Sequence, residues 1–108
     1  ACIYLKKQGL RLLLRNYRCK MGEIDLIMQD KDQLVFVEVR YRKTTSYGSS
    51  AESIDYKKQI KLLRTAEFYL LTTKMHFRLV RFDIIAIQHQ ENHYTIQWIK
   101  NAIEQTYL

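Results

Sequence analysis

The sequence predicts an α/β fold: a mixed central sheet flanked by helices, in a single domain over residues 1–108. Three observations predict it. Apolar residues alternate at a period of two in some segments and recur at helical spacing in others. Three strand segments precede one long helix and further strands follow it, an order that lays helices on a mixed sheet. And 108 residues, 47% of them hydrophobic and 27% charged, supply one core and not two.

The elements follow in order. Residues 1–8 read as the end of a helix, because Ala1, Tyr4 and Leu5 recur at helical spacing. Lys6 and Lys7 suit its C-terminal dipole, and Gly9 suits a left-handed cap. Residues 10–17, apolar with arginines interspersed, read as a strand that ends at Lys20-Met21-Gly22. Residues 22–28 alternate, which predicts Ile24, Leu26 and Met28 on one face and Glu23, Asp25 and Ile27 on the other. After a polar turn, residues 34–41 form the strongest strand, and these three strands are expected to make an antiparallel meander. A polar loop over residues 43–53 contains Gly48, and Ser53 is placed to cap a helix over residues 54–71. Residues 78–88 and 94–97 read as two more strands. Trp98, Ile99, Ala102 and Ile103 at helical spacing predict a closing helix over residues 98–105.

Composition narrows the function. Three glycines and no proline argue against a long linker. No apolar run approaches the roughly 20 residues of a membrane helix, and no signal peptide is visible, although the chain starts at Ala1 rather than Met. Cys2 and Cys19 have no Cys or His near them at ligand spacing, so neither a zinc site nor a disulfide is called for and a reduced, cytoplasmic chain is expected. The net charge of +7 suits a phosphate-bearing partner, and it suits plain solubility as well.

The chemistry concentrates on two carboxylates. Asp25 lies in an otherwise apolar strand, and Glu38 follows after twelve intervening residues in the most hydrophobic strand of the chain. Antiparallel pairing brings the two side by side. Buried carboxylates need compensation, and two kinds fit. One is a structural ion-pair network with Arg40 and Arg42 on the Glu38 face. The other is a hard divalent cation, which takes carboxylate oxygens and waters as ligands and acts on phosphate esters. On the helix, Lys57, Lys61 and Arg64 form a basic stripe opposite the apolar face of Leu62, Leu63, Ala66 and Tyr69. The stripe suits a phosphate backbone or an ordinary solvated surface. Lys58 and Gln59 aim toward the sheet, where a carboxylate cluster would partner them. Asp83, in Arg81-Phe82-Asp83-Ile84-Ile85, reads as structural, with Arg81 on its own face or a helix lysine as its partner.

The blocks Gly22-Glu23-Ile24-Asp25-Leu26-Ile27 and Val35-Phe36-Val37-Glu38-Val39-Arg40-Tyr41-Arg42 together resemble the bacterial YraN family of endonuclease-like proteins. Lys58 with Lys61-Leu62-Leu63, Arg81-Phe82-Asp83 and Trp98-Ile99-Lys100-Asn101-Ala102 extend the resemblance over nearly the whole chain. It implies a restriction-endonuclease-like core of the PD-(D/E)xK superfamily, related to Holliday-junction resolvases. Magnesium or manganese would sit on Asp25 and Glu38, and DNA, including branched DNA, would be the substrate; Glu23, which shares a strand face with Asp25, is placed as an outer-sphere ligand or base. A homodimer follows by the same analogy. Arg40 stands where the superfamily carries its lysine, and because arginine does not deprotonate it is no general base. Lys58 is the expected substitute, so Asp25, Glu38, Arg40 and Lys58 form the expected catalytic set. Arg42, Lys43, Lys57, Lys61 and Arg64 are the expected nucleic-acid contacts. The resemblance also implies an earlier helical segment, before Ala1, with a glutamate that completes the acidic site. A nucleic-acid-binding module that kept the fold without catalysis, or a scaffold for a DNA-processing partner, is the competing reading.

Overall fold

The computed structural model describes residues 1–43, 55–74 and 79–103. Seven elements run in the order α1 (Cys2–Lys7), β1 (Arg11–Cys19), β2 (Gly22–Asp30), β3 (Gln33–Lys43), α2 (Tyr56–Thr73), β4 (Leu79–Gln90) and β5 (His93–Ile99). The strands form one five-stranded sheet in sequence order. β1, β2 and β3 are the expected antiparallel meander, β3 and β4 are parallel, and β4 and β5 pair antiparallel. The sheet is therefore mixed, with α2 making the β3-to-β4 crossover that a parallel pair requires.

Strand alternation divides the core into two layers. Leu34 and Phe36 point to the α2 side, where they join Ile27, Leu62, Ala66, Tyr69 and Phe82. Val35 and Val37 point to the α1 side with Leu5, Leu26, Met28 and Ile85. Aromatic contacts knit the first layer: Phe36 stacks on Phe82 at 5.2 Å between ring centroids, and Tyr69 meets Tyr17 edge-on at 5.0 Å. Helix α1 ends as expected, with Gly9 at φ +100° just beyond it.

Three expectations are corrected. The closing helix does not form over its described residues. Trp98 and Ile99 complete β5, Asn101 takes a φ of +54°, and the Ala102 N–H donates to the Phe82 carbonyl at 2.7 Å. Trp98 packs on the α1 side while Ile103 is buried on the α2 side. Their helical spacing comes from a chain that crosses the sheet edge from one layer to the other. Residues 104–105 lie outside the described residues.

In β2 the alternation breaks between Ile24 and Leu26. Ile24 joins Ile27 on the α2 side, and Leu26 joins Met28 on the α1 side. Asn16 and Asp25 lie between the paired positions Arg15↔Leu26 and Tyr17↔Ile24, and Asn16 holds a left-handed φ of +52°. The register of β1 on β2 shifts between Leu12 and Leu14 and is kept across Asn16 and Asp25. Finally, α2 starts at Tyr56 and its N-cap is Asp55, whose carboxylate accepts the Lys58 N–H at 2.8 Å. Ser53, with the rest of the expected loop and Gly48, lies outside the described residues. Among the described residues no helix is long and apolar enough to cross a membrane.

Candidate active site

The site forms where β2 and β3 part. The β2–β3 pairing ends at Leu26↔Val37, one residue short of Asp25 and Glu38. Past that point the Asp25 carboxylate itself takes up a β3 backbone group: its Oδ2 accepts the Val39 N–H at 2.8 Å. A side chain in place of a ladder partner satisfies the amide and fixes the carboxylate at the strand end. Glu38 follows Val37 in the alternation and turns to the α2 side, where Lys58 Nζ donates to its Oε2 at 2.6 Å. The Glu38 side chain is only 10% exposed, whereas Lys58 is 54% exposed. The lysine therefore reaches inward from solvent to a carboxylate that has little water of its own.

The electrostatics follow from that placement. Burial pushes the Glu38 carboxyl above its ordinary value; the Lys58 hydrogen bond opposes this, and the nearby Asp25 charge adds to it. Asp25 and Glu38 are thus close enough to repel, as expected from the sequence.

Asp55, unnoticed in the sequence reading, anchors the first turn of α2. Its cap hydrogen bond holds the segment that carries Lys57, Lys58 and Lys61 over the carboxylates. An aspartate directly before a helical run was the signal that could have marked it. Together these residues line a groove of about 530 Å³, with Gly22, Glu23, Asp25 and Glu38 on the sheet side.

The remaining expected residues are distributed differently. Glu23 lines the groove but is exposed and paired with Arg18 at 3.0 Å. Arg40 is half-buried on β3 and holds an interaction of its own. Arg42 and Lys43 end β3, paired with Gln88 and His89, and their side chains lie outside the description. Arg64 is exposed but lines a separate groove with Met21, Phe68 and Leu71, so the stripe splits between two surfaces. Asp83 is fully buried and structural: it accepts from Arg81 Nε at 3.1 Å, from Trp98 Nε1 at 2.9 Å and from the Asn101 N–H at 2.9 Å.

Among the described residues no group of three or more His, Cys, Asp or Glu side chains comes together to hold a metal ion. The donor set is the pair Asp25 and Glu38. That pair fits magnesium or manganese, which commonly bind one or two carboxylates and fill the remaining positions with water and substrate phosphate. It does not fit a cage built from protein ligands alone.

Comparison with known proteins places these residues in a wider group. The model of the uncharacterised protein family UPF0102 matches residues 1–87, which include Asp25, Glu38 and Lys58. A UPF0102 protein of Psychromonas ingrahamii is 49% identical over 105 residues, covering 97% of this chain and 84% of the relative. One from Vibrio cholerae is 47% identical over 105 residues, and one from Clostridium acetobutylicum is 40% identical over 104. The latter two alignments cover 95% and 94% of this chain, and 84% and 85% of the relatives.

Proposed function

This chain belongs to the UPF0102 family, and from that premise we propose that it is a metal-dependent endonuclease of the PD-(D/E)xK kind, hydrolysing phosphodiester bonds in DNA. One observation carries the reading: a near-buried glutamate, an adjacent aspartate and an inward-reaching lysine meet at a strand end, inside a groove whose other wall is lysine-rich. A purely structural ion pair has no need of an open groove or of Lys57 and Lys61 beside it.

The residues divide the work. Asp25 and Glu38 hold the cation, and Val39 keeps Asp25 oriented through its N–H. When bound, magnesium or manganese polarises the phosphoryl group and makes water a better nucleophile. Lys58 serves two ends: its hydrogen bond favours the ionised form of Glu38 against burial, and it places a positive charge where the transition-state phosphate gathers negative charge. Arg40, at the place of the superfamily lysine, adds fixed positive charge without acting as a base. Lys57 and Lys61 bind the phosphate backbone beside the cleaved bond. A cytoplasmic protein acting on branched DNA as a symmetric homodimer, in the manner of Holliday-junction resolvases, is the fullest form of this reading.

The second reading is a nucleic-acid-binding module without catalysis. Arg40 at the lysine position favours it, as does Lys58, which already supplies Glu38 with a cation. The two are separated by incubating the full-length protein with labelled branched and linear DNA, with magnesium or manganese in one arm and chelator in the other. Metal-dependent cleavage that disappears in Asp25→Ala is the expected result. Binding without cleavage by either protein would establish the module instead, and would make Arg40→Lys the next variant to assay.

A further inference from the structure

Glu38 sits at the junction of the sheet and α2, and two cations have a claim on its carboxylate. Its Oε2 accepts from Lys58 Nζ at 2.6 Å, and the same carboxylate is the one that the reading above gives to a divalent metal ion. Magnesium lies about 2.1 Å from its ligand oxygens, so on this carboxylate it comes within a few ångströms of the ammonium, and like charges that close repel. Lys58 and the metal ion therefore compete for Glu38.

The fold lets one of the two side chains move and holds the other. The Glu38 side chain is 10% exposed and that of Lys58 is 54% exposed, so the lysine stem turns about its own bonds while the glutamate stays. The helix does not need to shift, because Asp55 Oδ1 holds the Lys58 backbone N–H at 2.8 Å. An ammonium that leaves Glu38 enters the groove that Lys57 and Lys61 also line. Lys61 is one helical turn from both Lys57 and Lys58, a spacing at which like charges destabilise one another. An anion removes that obstacle, and a phosphodiester in the groove is such an anion.

Resting on the nuclease reading above, we infer that Lys58 is an exchange latch: it competes with the metal ion for Glu38, and a phosphate in the lysine groove draws it away, so that metal and nucleic acid bind cooperatively. The coupling is reciprocal, since any factor by which the phosphate tightens metal binding is the factor by which the metal tightens phosphate binding. The two ends that Lys58 serves are then successive: Glu38 first, and the phosphate once Glu38 turns to the metal ion.

The test uses the full-length protein at pH 8 with manganese as the probe, free and bound ion being separated by electron paramagnetic resonance. Asp25→Ala marks the manganese that is not held at this site. Lys58→Met and Lys58→Gln should bind manganese about 5- to 150-fold more tightly than wild type, the usual range of coupling between two sites. Lys57→Met takes the same unit charge from an exposed position in the same groove and should change manganese affinity little. A duplex made with phosphorothioate linkages, which resists cleavage, should tighten manganese binding to wild type and do so much less in Lys58→Met. In nuclear magnetic resonance the Lys58 ammonium signal, identified by its absence from Lys58→Met, should lose its hydrogen-bonded character when magnesium is added. Equal manganese affinity in wild type and Lys58→Met, an equal gain in Lys57→Met, or a DNA effect undiminished in Lys58→Met would overturn the latch and leave the metal-dependent reading standing. The absence of any Asp25-dependent manganese binding, with or without DNA, would overturn both.

Discussion

At Glu38 three influences meet: burial raises the carboxyl pKa most, the Lys58 hydrogen bond opposes it and the Asp25 charge adds to the rise. A carboxyl whose pKa is higher in the fold than in the unfolded chain holds its proton more tightly when folded. Its contribution to stability is full below the unfolded value and is lost as pH rises through the folded one. Ionising Glu38 within the fold is therefore a cost. Glu38→Gln should raise the melting temperature at pH 7, with a gain of roughly 0.5–2 kcal/mol, as is common when a strained functional site is relieved. The gain should shrink as pH falls below the ordinary glutamate range, where wild type is protonated too. The same variant should lose metal-dependent activity, and a Glu38→Gln protein less stable than wild type at pH 7 would contradict the account. Lys58 gives the complementary prediction. Lys58→Met removes the influence that lowers the Glu38 pKa, so the acid limb of the pH–rate profile should move to higher pH, with the rate at neutral pH falling as well. An unmoved limb at full rate would mean that Lys58 is a surface partner and nothing more.

Between elements, the closest constraint near the site is at Gly22, where the β1–β2 turn meets α2. A Cβ there would lie 2.9 Å from Thr65 Oγ1, and the φ of +149° is itself unfavourable for a side chain. The Thr65 hydroxyl donates to the Lys61 carbonyl at 2.7 Å, so relieving the clash breaks that bond or lifts the helix. Gly22→Ala should cost about 1–3 kcal/mol, as overpacking usually does. Thr65→Ala in that background should recover part of the loss, which a double-mutant cycle in chemical denaturation would measure; strictly additive losses would place the cost in the backbone alone. The elements also show what could be read before folding. The β1–β2–β3 meander, α2 and β4 were legible because period-two and helical patterns were strong and bounded by turns. Trp98, Ile99, Ala102 and Ile103 misled because a strand that rounds a sheet edge presents apolar residues to both layers, as a helix turn does. Asp25, Glu38 and the inward aim of Lys58 were legible because charges in apolar segments are conspicuous. The Asp25 contact with the Val39 N–H was not, since it depends on where the β2–β3 ladder stops, and side-chain pattern does not encode that. Asp83 was legible as structural with Arg81 as its partner, whereas the hydrogen bonds it accepts from Trp98 and Asn101 depend on where the chain turns after β5 and had no sequence signal.

Over the whole molecule, a net charge of +7 sets up a long-range attraction for any polyanion, and that attraction alone does not specify a site. What distinguishes a binding groove from a generally basic surface is which lysines release counterions when DNA docks. Lys57 and Lys61 line the groove with the carboxylates, whereas Arg64 lines the neighbouring one with Met21, Glu67, Phe68 and Leu71. For duplex DNA the logarithm of affinity falls with the logarithm of salt concentration by about 0.9 per phosphate contacted. Lys57→Gln with Lys61→Gln should therefore flatten the slope by about 1.8 if each contacts one phosphate, and Arg64→Gln should leave it nearly unchanged. Anisotropy titrations across a range of salt concentrations measure this directly. All three substitutions remove the same unit charge, so equal flattening per charge would show that DNA senses only the overall field of the protein. A slope that responds to Lys57 and Lys61 and ignores Arg64 would tie DNA binding to the groove that holds Asp25 and Glu38, which is what a cleaving site at that junction requires.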